Sequence, residues 1–246
     1  MGRQRIIIIG ATSTIAEHCA RVWAQQPSDF VLVGRDHYRL ESVAADLRVR
    51  SPQSSAQAIV MDFSDPVAIA GLAMQTAVEG HVDIVLIAHG NLPVQADCQQ
   101  DVTLTRQALE INGLSPVLFA EAFAGQMEKA GSGTLAIIGS VAGDRGRKTN
   151  YVYGAAKALI DRYAQGLQHR FAGKRVKIVL IKPGPTATPM TAHLPPRGLA
   201  SANEVAHRIV EAVAAGQAVV YAPARWWLIM MIIRHLPRVV FNRLNI

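Results

Sequence analysis

Cysteine is scarce: Cys19 and Cys98 are the only two in 246 residues. They are far apart and in no metal-ligand spacing. This excludes a zinc-ribbon or disulfide-scaffold architecture and leaves a reduced thiol pair as the expectation. His89, His193 and His235 show no metal spacing either, so no metal is expected. Aromatic residues make up 6% of the chain, too few to supply stacking platforms, and no nucleic-acid motif accompanies the net charge of +7. A membrane surface or an anionic substrate fits that charge better, and no nucleic-acid partner is expected. Charged residues are also few, at 17% against 50% hydrophobic, which excludes disorder and suits one domain with a large core. Long apolar runs are missing. The run Trp226–Ile233 would span roughly 12 Å as a helix, well short of the roughly 30 Å hydrocarbon core. Ile6–Ile9 is too short for an export signal, and a cytoplasmic location, peripheral to a membrane at most, is expected.

What is present is an alternation. Ile6–Ile9, Phe30–Val33, Ala58–Met61, Ile84–Ala88, Leu135–Ile138, Val176–Ile181 and Ala218–Tyr221 are short and largely β-branched. Such uninterrupted runs mark strands buried on both faces. Helix-compatible stretches at 14–26, 37–50, 65–79, 101–129, 152–172 and 202–215 separate them. The pattern predicts an α/β fold with a doubly wound parallel sheet, Rossmann-like, over residues 1–224, followed by an apolar and basic tail at 225–246.

The chemistry-bearing residues fall at the ends of predicted strands. Gly10-Ala11-Thr12-Ser13-Thr14-Ile15 follows the first. Small residues at a strand-to-helix turn let backbone amides approach a pyrophosphate, which makes Gly10, Thr12, Ser13 and Ile15 cofactor candidates. The second strand ends at Gly34-Arg35-Asp36. An acid at the tip would bind the ribose 2′-hydroxyl of NADH, whereas a guanidinium suits a 2′-phosphate. Arg35 therefore favours NADPH, and Asp36 keeps NADH open. Tyr153 and Lys157 are four apart in Tyr153-Gly154-Ala155-Ala156-Lys157, on one face of a helix. A nearby ammonium is expected to lower the phenol pKa so that it exchanges a proton with a carbonyl or alcohol oxygen. Ser140 ends a strand thirteen residues upstream and can hold the same oxygen. The loop Arg145-Gly146-Arg147-Lys148 lies between Ser140 and Tyr153. Its three cations suit an anionic substrate or, equally, a solvated surface loop.

Over roughly residues 5–222 these motifs resemble the short-chain dehydrogenase/reductases, with Ser140, Tyr153 and Lys157 matching the catalytic Ser, Tyr and Lys. The resemblance implies a nicotinamide-dependent oxidoreductase. It assigns a proton-relay role to Asn112, adenine contact to Asp62, and cofactor contacts to Gly90, Pro183, Gly184, Thr186 and Thr188. The chain departs from the family where Thr14 and Ala16 replace two loop glycines, and where Ile87-Ala88-His89-Gly90 replaces Asn-Asn-Ala-Gly. The segments 140–154, 191–194 and the tail from Tyr221 are similar, within the family, to reductases of a 2-keto-pentose carried on polyprenyl phosphate. This implies a lipid-linked sugar substrate giving an arabinose-type product, a partner flavin oxidase that makes the ketone, and His193 in the substrate pocket. A homo-oligomer through helices 101–129 and 152–172 is the family's usual assembly. Two other readings stay open: a reductase of another hydrophobic ketone, and a non-catalytic NADPH-binding regulator. The tail is expected either to lie in a membrane interface or to pack over the cleft or a partner subunit.

Overall fold

The computed structural model describes residues 3–244. Met1, Gly2, Asn245 and Ile246, the outermost positions of the expected domain and tail, lie outside the described residues. The elements run β1 (Gln4–Ile9), α1 (Thr14–Trp23), β2 (Ser28–Gly34), α2 (His37–Arg50), β3 (Ser55–Val60), α3 (Pro66–Glu79), β4 (Ile84–Ile87), α4 (Gln95–Gln100) and α5 (Val102–Leu109). They continue with α6 (Ser115–Ala130), β5 (Gly133–Ile138), α7 (Tyr151–Arg170), β6 (Val176–Pro183), α8 (Ala202–Ala215), β7 (Val219–Ala222), α9 (Arg225–His235) and α10 (Arg238–Phe241). The strands form one parallel sheet in the order β3-β2-β1-β4-β5-β6-β7. This is the doubly wound α/β fold expected from the alternation.

Residue alternation along each strand divides the core in two. Ile6, Ile8, Phe30, Leu32 and Leu86 pack beneath α1, α2 and α8, while Ile7, Ile9, Val31, Val33 and Val85 pack against α3, α6 and α7. Each fully buried Ile or Phe contributes about 1.5–3 kcal/mol. Local caps start the helices where they must turn. Asp36 accepts from the Arg39 amide at α2, Asp65 from the Val67 amide at α3 beside Pro66, and Ser201 from the Glu204 amide at α8. Strand order reverses between β1 and β4, so the loops leaving their carboxyl ends diverge and open a crevice.

The predicted continuous helix 101–129 is interrupted. Residues Glu110–Leu114 form a π-turn in which the Ser115 amide bonds to the Glu110 carbonyl. Pro116 supplies the cause: it has no N–H to give to the Asn112 carbonyl four residues earlier. In the tail, α9 buries Met230 and half-buries Trp226 and Ile233 against Val141 and Tyr221. The packing alternative for its inner face is therefore the one observed. Among the described residues no helix is long and apolar enough to cross a membrane.

Candidate active site

The crevice has two compartments that meet at Ala88, His89 and Gly90. The larger, about 910 Å³, is lined by Gly10, Thr12, Ser13, Arg35, Asp62 and Gly90 among others. Gly10 has φ 80°, and a Cβ there would lie 2.6 Å from the His89 amide nitrogen. Only glycine lets the β1 and β4 loops close up in this way. Ser13 is the N-cap of α1, yet its side chain makes no cap hydrogen bond, which leaves first-turn amides available to an anion. These features fit a dinucleotide even though Thr14 and Ala16 replace the family's glycines.

The adenosine end favours a phosphate. Arg35 is exposed beside the cleft, and Asp36, the acid that kept NADH open, is engaged as the α2 cap at 3.1 Å from the Arg39 amide. Arg39, which sequence reasoning missed, also lines the cleft and donates to the Thr12 carbonyl at 3.0 Å. Its place one helical turn after Arg35 was the available signal. Asp62 accepts from the Ser64 amide at 3.0 Å and the Ser64 hydroxyl at 2.8 Å, and these bonds hold its carboxyl below the usual range. His89 is buried against Phe63 and Phe119. Burial, with Lys157 and Arg35 nearby, pushes its pKa down to about 3. The Ser115 hydroxyl donates to the Phe63 carbonyl at 2.6 Å and faces His89 Nε2 at 2.9 Å, so Nε2 carries the ring proton.

The smaller compartment, about 180 Å³, brings together Ser13, Ile15, Ser140, Arg147, Tyr153, Lys157, Pro183, Gly184, Thr186 and Thr188. The carboxyl ends of β5 and β6 and the first turns of α7 supply most of them. Ser140 is anchored by the Ala142 amide, which donates to its Oγ at 3.1 Å. Lys157 donates to the Ile138 carbonyl at 3.1 Å, and its Nζ lies 5.6 Å from the Tyr153 ring centre. The expected lowering of the phenol pKa is not what the structure shows. Burial pushes Tyr153 up to about 12, with Ser140 pulling the other way, while burial takes Lys157 down to about 8, opposed by Asp161. Lys157 is buried and Tyr153 half-buried, and desolvation outweighs the opposing pulls of Ser140 and Asp161. Tyr153 is therefore held as a proton donor, the form that reduction of a carbonyl needs.

Behind Lys157 lies a buried charge network. Lys182, on β6, pairs with Asp161 at 2.6 Å and with Asp144, and the Tyr221 hydroxyl donates to Asp144 at 2.9 Å. Asp161 is one turn beyond Lys157 on α7, which ties the segment carrying the Lys157 amine to β6 and β7. None of these four was picked out from sequence. A lysine inside an otherwise apolar buried strand was the signal, because a buried ammonium requires partners.

Asn112 is fully buried on the π-turn. Its Oδ1 accepts from the Asn91 amide at 2.8 Å, and its Nδ2 donates to Asn91 Oδ1 at 2.7 Å and the Ala108 carbonyl at 2.9 Å. The side chain thus clamps the loop after β4, with its oxygen and nitrogen both engaged there. The substrate candidates separate. Arg147 reaches the cleft wall and donates to the Val141 carbonyl at 3.4 Å. Arg145 does not: its Nη1 is spent on the carbonyls of Ile233 (2.5 Å), Arg234 (3.3 Å) and Leu236 (2.8 Å), and its guanidinium stacks 3.8 Å over Phe241. Lys148 and His193 are exposed and absent from the cleft wall, although their neighbours Arg147, Thr191 and Leu194 line it.

Residues 4–197 match the family model described as short chain dehydrogenase. An uncharacterized oxidoreductase of Mycobacterium tuberculosis is 32% identical over 99% of this chain and 98% of its own length. Two solved structures share the fold. One is a short chain dehydrogenase from Burkholderia cenocepacia in complex with NADP, with TM-score 0.84 and 18% identity over 99% of this chain and 98% of that one. The other is a short-chain dehydrogenase from Sphingobium yanoikuyae in complex with NADPH, with TM-score 0.80 and 22% identity over 96% and 97%.

Proposed function

The chain belongs to the short-chain dehydrogenase/reductase family, whose members are NAD(P)-dependent oxidoreductases, and on that premise we propose that it reduces, with NADPH, a ketone carried on an anionic lipid. A keto-pentose on a polyprenyl phosphate, reduced to an arabinose-type sugar, is the substrate that the sequence resemblance favours. When bound, the nicotinamide supplies the hydride. Tyr153 gives its proton to the carbonyl oxygen, Ser140 orients that oxygen, and Lys157 keeps a positive charge beside the phenolate as it forms. Arg35 and Arg39 support the choice of NADPH, and two structural relatives were solved with that phosphorylated cofactor. A flavin oxidase acting upstream would make the ketone.

Arg147 carries the substrate reading. It is the arginine that lines the catalytic cleft, on a wall otherwise furnished largely by apolar residues such as Leu92, Val141, Met190 and Leu194. A phosphodiester paired there orients the carbonyl from a distance, so the contact contributes to turnover as well as affinity. Arg147→Ala should lower kcat/KM for polyprenylphosphoryl keto-pentose about 10–100-fold, the worth of a charge-assisted hydrogen bond, and spare a small neutral ketone. Equal losses on both substrates, or no turnover of the lipid-linked sugar by the native enzyme, would leave the second reading, a reductase of uncharged bulky ketones. The apolar cleft wall supports that one. Binding of NADPH without turnover of any ketone would return the regulator reading.

A further inference from the structure

We propose that α9 and α10 dock this protein flat on the surface of a bilayer that bears anionic headgroups. The inference does not depend on the substrate assigned above. It begins with the two faces of α9. Trp226, Met230 and Ile233, spaced i, i+4, i+7, turn inward onto Val141 and Tyr221. Trp227, Leu228, Met231 and Ile232 occupy the opposite face and are exposed, Trp227 and Leu228 by 56% and 59%. A helix that is apolar on both faces needs a second apolar surrounding, and among the described residues its own chain supplies only one. On α10, Val239 and Val240 extend the exposed surface.

The surface is held in place. The Arg145 guanidinium bonds carbonyls at the C-terminal end of α9 and stacks on Phe241 of α10. Trp226 lies so close over Gly184 that a Cβ there would sit 1.9 Å from the indole nitrogen. The outer face is thus presented as a fixed platform, back to back with segments that line the catalytic cleft.

Charge selects the occupant. Arg225, Arg234, Arg238 and Arg243 are exposed around the apolar stripe, and the sequence has no Asp or Glu after Glu211. Among the described residues, none of these four arginines is in an ion pair with a carboxylate. A second copy docked on the same face by two-fold symmetry would bring arginines against arginines with no acid to answer them. An anionic bilayer surface instead attracts each arginine by about 1 kcal/mol. It also accepts a tryptophan at headgroup level and the aliphatic side chains just beneath. At roughly 16 Å, α9 lies in that interface rather than crossing it.

The test is vesicle flotation of the full chain. Trp227→Ser, Leu228→Ser and Ile232→Ser are combined in one variant, and Arg234→Gln, Arg238→Gln and Arg243→Gln in another. All six positions are exposed, and retained NADPH binding verifies the fold. The native protein should float with phosphatidylcholine–phosphatidylglycerol vesicles, and poorly with phosphatidylcholine alone. Each triple variant should lose about tenfold or more of its vesicle-bound fraction. Absence of flotation by the native protein, or flotation of the serine variant equal to native, would overturn the proposal. So would a native oligomer, seen by light scattering without vesicles, that the serine variant splits: a second copy would then cover the face.

Discussion

Around β1–β3 the groups that face the crevice are a glycine turn, small side chains and exposed arginines, and the cleft there is wide. Around β5–β7 the same crevice is narrow, and its working groups are withdrawn from water: Lys157, Lys182 and Asp161 are each 5% exposed or less. The first region can grip a large anion through backbone amides and guanidinium groups. The second holds ionisable groups whose protonation is set by burial, so that Tyr153 stays a phenol and Lys157 sits within reach of neutrality. The contrast separates a part that binds from a part that reacts, and substitutions on either side should produce different kinetic signatures.

The largest effect is expected on the reacting side. Lys157→Met keeps the length of the chain but removes the charge beside the phenolate, and should lower kcat by about 10²–10⁴-fold. Steady-state kinetics at saturating NADPH checks this, and a loss confined to KM would erase the distinction. On the binding side, Arg35→Ala should weaken NADPH about 10–100-fold through loss of a charge-assisted pair, measured by fluorescence titration. NADH affinity and kcat at saturation should hardly change. A smaller and more diagnostic effect belongs to Asp161. Its carboxylate raises the Lys157 pKa against burial, so in Asp161→Asn the amine loses its proton at lower pH. The alkaline limb of kcat/KM for reduction should then move below the native limb near pH 8, whereas a merely structural role would lower the rate without shifting the profile.

The same contrast decided what could be read from the sequence. Parallel strands announce themselves as apolar runs, and Gly10, Arg35, Ser140, Tyr153 and Lys157 fall at strand ends or one helical turn apart, where short-range spacing locates them. The partnership of Lys182 with Asp144, Asp161 and Tyr221 joins residues up to 77 positions apart, and no local period reveals it. The π-turn at Asn112 was legible in principle, through Pro116, but the apolar pattern runs on through it. Composition left the basic loop 145–148 open between an anion site and a solvated surface, and the three neighbouring cations serve three ends, with Arg145 bonding the end of α9, Arg147 lining the cleft and Lys148 in solvent.

The division between binding and reaction is tested most directly by one variant measured twice. Tyr153→Phe removes only the phenolic oxygen. Its dissociation constant for NADPH should match the native value, while single-turnover reduction of a bound ketone should slow by at least about 10²–10⁴-fold, the worth of a positioned proton donor. Near-native turnover would show that another group delivers the proton, and a large loss of NADPH affinity would show that the two sides of the crevice do not act separately.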